Sequence, residues 1–103
     1  MRPKNKKICL SGEETLAVLS EINLILMSLH RMGSAYSEGG REYEQETTRF
    51  IDEWQVCSRL ANARKILSSK FDNTLGPDDM DDVERAMESL PFWRSSTTKA
   101  PDV

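Results

Sequence analysis

Apolar positions along the chain recur at helical spacing nearly throughout, and nowhere do they alternate as in a strand. The first series begins after Ser11, an N-cap residue with Glu14 three positions on as its capping-box partner. Leu19, Ile22, Leu26, Leu29, Gly33 and Tyr36 then follow a 3-4-3-4-3 spacing, which predicts a helix over 12–36. Ser37–Gly40 (SEGG) supplies the turn.

A second helix is predicted over 40–71. Glu42, Glu44 and Glu46 suit its positive N-terminal pole. Tyr43, Thr47, Phe50, Trp54, Cys57 and Ala61 form its first seam. After Val56 the apolar set shifts to Leu60, Ala63, Leu67 and Phe71, roughly 100° round the axis. Either the helix kinks or supercoils, or its two halves face different surfaces, one its own chain and one another molecule. A third helix over 78–90 starts on Pro77, carries acids in its first turn and aligns Met80, Val83, Met87 and Leu90 before Pro91 ends it.

The expected architecture is therefore all-α. A long antiparallel hairpin carries a short third helix, and a second copy completes the bundle as a homodimer. The expected divisions are a basic flexible arm over 1–10, one helical domain over 11–91 and a flexible tail over 92–103. A continuous second helix would be about 48 Å long, against a radius of gyration of about 13 Å for a compact chain of this size. It must kink, project or lie against a second molecule.

The first helix has more apolar positions than one contact needs. Leu19, Ile22, Leu26 and Leu29, with Val18, Ile25, Met32 and Tyr36, span an arc of about 140°. That arc is expected to be covered by the second helix. Leu16, Leu24 and Met27 fall on the other side. Leaving them in water would forgo roughly 4–9 kcal/mol of burial, so either the third helix or another molecule covers them. The candidate interface residues are Leu16, Leu24, Met27, Leu60, Leu67, Phe71, Phe92 and Trp93. For Phe92 and Trp93 the choice lies between a lid on the first two helices and an anchor for a partner. Trp54 is expected in the core.

Composition narrows the function. The formal charge is −3, and Met1–Lys7 alone contributes four basic residues, so the body that follows is more acidic still. Phosphate binding is disfavoured, and the acidic last helix could not enter a DNA groove. No apolar run reaches the length of a bilayer span, and no leader-like apolar stretch follows the basic start. A cytoplasmic location is expected, with Cys9 and Cys57 as free thiols in preference to a single disulfide between them.

Two cysteines and one histidine match no zinc spacing. An EF-hand reading from Asp72 fails, because Pro77 stands where the turn glycine belongs and Val83 where the bidentate glutamate belongs. His30 is the lone histidine and suits a helix C-terminal dipole, and Gly39–Gly40 lacks the lysine–serine pair of a phosphate loop. No catalytic residue, cofactor or metal is expected.

The run KKICLSGEETLAVLSEINLILMSLHRMG, the long EYEQETTRFIDEWQVCSRLANARKIL segment and the short acidic last helix together resemble the QslA-type quorum-sensing anti-activators. The resemblance spans nearly the whole chain through its general character and not through a diagnostic motif. It implies a non-enzymatic, all-helical dimer. Such a protein binds the ligand-binding domain of a LuxR/LasR-type transcription activator and blocks its dimerisation and DNA binding. The alternative is a nucleic-acid-associated protein that uses the basic arm.

Overall fold

A computed structural model describes residues 1–95; residues 96–103 of the expected tail lie outside the described residues. A single 3-10 turn, Pro3–Asn5, precedes four helices: α1 (Gly12–Ala35), α2 (Arg41–Glu53), α3 (Val56–Ser68) and α4 (Asp82–Met87). No strand occurs among the described residues, so the fold is all-α.

The capping box that starts α1 is formed in both directions. Ser11 Oγ accepts from the Glu14 N–H, and Glu14 Oε1 accepts from the Ser11 N–H, each at 3.0 Å. The turn after α1 uses Gly39 (φ 72°) and Gly40 (φ 95°), conformations that other residues adopt only with strain.

The expected single helix over 40–71 is instead two helices of 13 residues each, α2 and α3. The break falls at Trp54–Gln55, where Gln55 is left-handed (φ 51°, ψ 51°). Neither glycine nor proline marks the site, so side chains hold it. Arg59 Nε donates to the Trp54 carbonyl at 2.8 Å, and Arg59 Nη1 reaches Glu21 Oε1 at 3.0 Å. The Trp54 ring leans on Phe50, with centroids 6.1 Å apart.

A left-handed L-residue costs roughly 1–2 kcal/mol. Gln55→Gly is therefore expected to raise the thermal midpoint by a few degrees, read by circular dichroism. In an unbroken helix the same change would cost about 1 kcal/mol and lower it.

Two ion pairs set the main packing. Glu14 meets Lys70 near one end of the α1–α3 contact, and Glu21 meets Arg59 further along, so the helices run antiparallel. Between them lie the buried Val18 of α1 and Ala63 of α3, while Val56 and Phe50 are buried near the elbow. The face of α1 turned inward carries Glu14, Val18, Glu21, Ile25, Ser28 and Met32, all buried or half-buried.

This corrects the expected covering of α1. The broad apolar arc is split along its length. Val18, Ile25 and Met32 go inward, whereas Leu19, Ile22, Leu26 and Leu29 are exposed. Two short helices set at an angle cover a narrower face than one long straight helix would.

The third helix is also shorter than expected. Residues 77–79 form a turn with Asp79 at φ 64°, closed by the Asp79 N–H on the Gly76 carbonyl at 3.0 Å. The helix starts only at Asp82, behind Asp81 as N-cap with Glu84 as its capping-box partner. Aspartates that bond neighbouring backbone favour such turns over helix interiors.

The N-terminal arm is tied down at two aspartates. Asn5, only 4% exposed, donates from Nδ2 to Asp82 Oδ2 (2.7 Å) and the Asp72 carbonyl, and its Oδ1 accepts from the Asp72 N–H. Arg2 donates from its backbone to Asp82 and from Nε to Asp72.

The whole is flat and open. The radius of gyration is 17.9 Å and the extents are 49 × 42 × 20 Å, against about 13 Å for a compact chain of this size. The accessible surface of 8663 Å² is roughly half again as large as the ~5,900 Å² of a compact monomer.

Candidate protein-docking surface

The outer side of α1 is a largely apolar surface. At about 100° per residue, Leu29, Ile22, Leu26, Leu19, Leu16 and Met27 occupy one arc of roughly 160°. All six side chains are exposed, led by Leu16 (64%) and Leu26 (60%). The acids and arginine of the helix, Glu13, Glu14, Glu21 and Arg31, fall outside that arc. Only Gly12, Thr15, Asn23, His30, Gly33 and Ser34 interrupt the hydrocarbon.

α3 widens this surface. The Glu21–Arg59 pair marks one flank of the antiparallel contact, on the side where α2 lies. Helical phase then places Leu29 and Ile22 of α1, with Leu60 and Leu67 of α3, on the opposite flank. Leu60 and Leu67 are exposed there, and Phe71, just past the helix end, is half-buried. Monomeric soluble proteins seldom leave so many large apolar side chains in water on one side.

The expected interface residues divide. Leu16 and Met27 lie on the exposed arc and Leu60 and Leu67 beside it, whereas Leu24 is half-buried on the other side of α1. Phe92 and Trp93 are 76% and 86% exposed and form no lid. Trp54, expected in the core, is half exposed at the elbow.

The residues that periodicity missed are the leucine seam itself, Leu19, Ile22, Leu26 and Leu29, because a regular 3-4-3 seam reads as core. A signal was present in Glu21, which interrupts the competing Val18–Ile25–Met32 seam and makes it look like the polar side. Arg59 allows that carboxylate to sit half-buried.

The aspartates around α4 are engaged within the chain. Thr74 hydrogen bonds, from hydroxyl and backbone, and the Arg2 guanidinium hold the Asp72 carboxyl down at about 2. Arg85 grips Asp78 with two bonds of 2.7 Å and likewise brings it to about 2. Asn5, the Arg2 backbone and Arg85 lower Asp82 in the same direction.

Depressed carboxylates stabilise the fold only while ionised. Their contribution is complete above the unfolded value near 4 and fades as pH falls through about 2. Docking of the arm on α4 is thus expected to be constant from neutral pH to about 5, to weaken below about 4 and to be lost as pH falls through about 2. NMR signals of the Asn5 side-chain amide follow it directly. A transition near neutral pH would contradict the assignment.

Cys9 and Cys57 are exposed and unbonded. Among the described residues no metal-binding cluster occurs, and no helix is long and apolar enough to cross a membrane. A shallow groove at the elbow collects Glu21, Glu53, Trp54, Gln55, Ser58 and Arg59, but its central charges are committed to each other.

The arrangement defines an all-helical protein whose most developed surface feature is the exposed apolar side of α1. No protein family matches the chain, and comparison with curated proteins and with solved structures returns no similar sequence or fold.

Proposed function

We propose that the protein is a non-enzymatic regulator that binds and covers an apolar surface of a protein partner, and that it also associates with itself. The observation that carries this reading is the exposed arc from Leu16 to Leu29, which bears no carboxylate, lysine or arginine. Burial of that hydrocarbon drives association, and charges at the rim set the orientation. The resemblance to QslA-type anti-activators supplies a class of target, the ligand-binding domain of a LuxR/LasR-type activator in the cytoplasm. A partner that dimerises through its own apolar surface is inhibited by mass action once that surface is covered.

The nucleic-acid alternative draws less support. Arg2 and Asn5 of the basic arm are engaged by Asp72 and Asp82 of the same chain.

Calorimetric titration against a purified LuxR-type ligand-binding domain tests the proposal. Affinity is expected to change little between roughly 50 and 200 mM salt, whereas a contact to several phosphates weakens by orders of magnitude over that range. Failure to bind, combined with steeply salt-dependent binding to duplex DNA, would overturn the reading.

A further inference from the structure

The chain carries a second exposed apolar element besides the α1–α3 face. After α4, residues 91–95 have no regular secondary structure, and Phe92 and Trp93 project from them almost fully into solvent, with Leu90 half exposed just before. Adjacent aromatics are the side chains most often found at the energetic centre of an interface. Neither element covers the other within the chain, although the two are complementary. The face is a broad ledge between antiparallel helices, and the segment is short, without regular secondary structure and uncharged through Leu90–Trp93.

We infer that these two elements cover each other between copies: the Leu90–Trp93 segment of each chain seats on the α1–α3 face of the other. This inference rests on the self-association proposed above and specifies how it is made. Reciprocal exchange closes under two-fold symmetry and leaves no further unmatched surface to propagate. A buried Phe or Trp removes about 150–250 Å² from water, and the receiving face loses a similar amount. Two such contacts with Leu90 reach a total on the order of 2,000 Å², within the range of stable dimers. Direct pairing of the two α1 faces would instead leave four aromatics in water. In the exchanged dimer the face that takes a target is occupied, so target binding must displace the segment. Self-association thereby becomes a reserve state.

Complementation between two variants tests the exchange. Phe92→Ala/Trp93→Ala removes the segment and keeps the face, and Leu26→Glu spoils the face and keeps the segment. All these side chains are exposed, and unchanged far-ultraviolet circular dichroism confirms that each variant folds. Light scattering over a concentration series is expected to find the unaltered chain dimeric and each variant alone monomeric, with at least a tenfold weaker association. Mixing the two variants is expected to restore a two-chain species, because one intact segment then meets one intact face.

In a Trp54→Phe background, Trp93 emission is expected to move to shorter wavelength as the dimer forms. Persistent dimerisation of Phe92→Ala/Trp93→Ala would overturn the exchange in favour of face-to-face pairing. Failure of the mixture to associate would overturn it as well. If the unaltered chain is monomeric throughout, the exchange is wrong, while binding of the activator domain still decides the docking reading separately.

Discussion

Leu26→Glu is expected to leave the chain folded and to abolish its association with itself and with its target. Leu26 lies at the middle of the exposed arc and is 60% in solvent, so a carboxylate there keeps its hydration in the isolated chain. Surface substitutions of this kind change stability by no more than about 0.5 kcal/mol. In a complex the same carboxylate would be buried among hydrocarbon with no lysine or arginine of α1 beside it. An unpaired buried charge costs several kcal/mol, which is a loss of at least a hundredfold in affinity at 1.4 kcal/mol per decade. Circular dichroism reads the first half of the prediction, and light scattering with calorimetry reads the second.

Val18→Asp is expected to do the opposite. Val18 is two turns away on the same helix, but it is only 7% exposed and faces α3 near Ala63. A carboxylate there joins Glu14 and Glu21 on the inward face, and the nearby cations Lys70 and Arg59 are already engaged by those acids. The expected cost is about 3–5 kcal/mol. A fold whose buried apolar residues, among those described, are Val18, Phe50, Val56 and Ala63 has little in reserve, and small domains have net stabilities of only about 5–15 kcal/mol. Chemical denaturation should show a large fall in midpoint, with much of the chain unfolded at ambient temperature. The two substitutions together separate the observed packing from the arrangement that periodicity alone suggests, in which Leu26 is core and its replacement unfolds the protein.

The contrast shows which parts of the structure were legible in the sequence. The start of α1 was legible because a capping box is local chemistry, carried by Ser11 and Glu14 alone. The all-helical class followed from spacing, and the 37–40 turn from a glycine pair in left-handed conformation. A kink in the second helix was among the alternatives that its seam shift and length raised, but its place at Trp54–Gln55 and the left-handed Gln55 were not legible. The break depends on Arg59 reaching both the Trp54 carbonyl and Glu21, 38 residues earlier in the chain.

The assignment of α1's faces depended on that break. A straight partner would have covered the leucine seam, whereas two angled helices cover the Val18–Ile25–Met32 side. The anchored arm was hidden for a similar reason. Asn5 pairs with Asp72 and Asp82, and no local pattern announces contacts 67 and 77 positions away. The shift from the Trp54 seam to Leu60, Leu67 and Phe71 did carry information: it marks the change of direction between α2 and α3, and Leu60 and Leu67 end beside the docking face.

The central claim is that the outer face of α1 is an association surface and not core. Light scattering of the unaltered chain and of Leu26→Glu over the same concentration series tests it most directly. The proposed self-association predicts a dimer for the first and a folded monomer for the second. A folded Leu26→Glu dimer, or a Leu26→Glu chain that has lost its helicity, would contradict it.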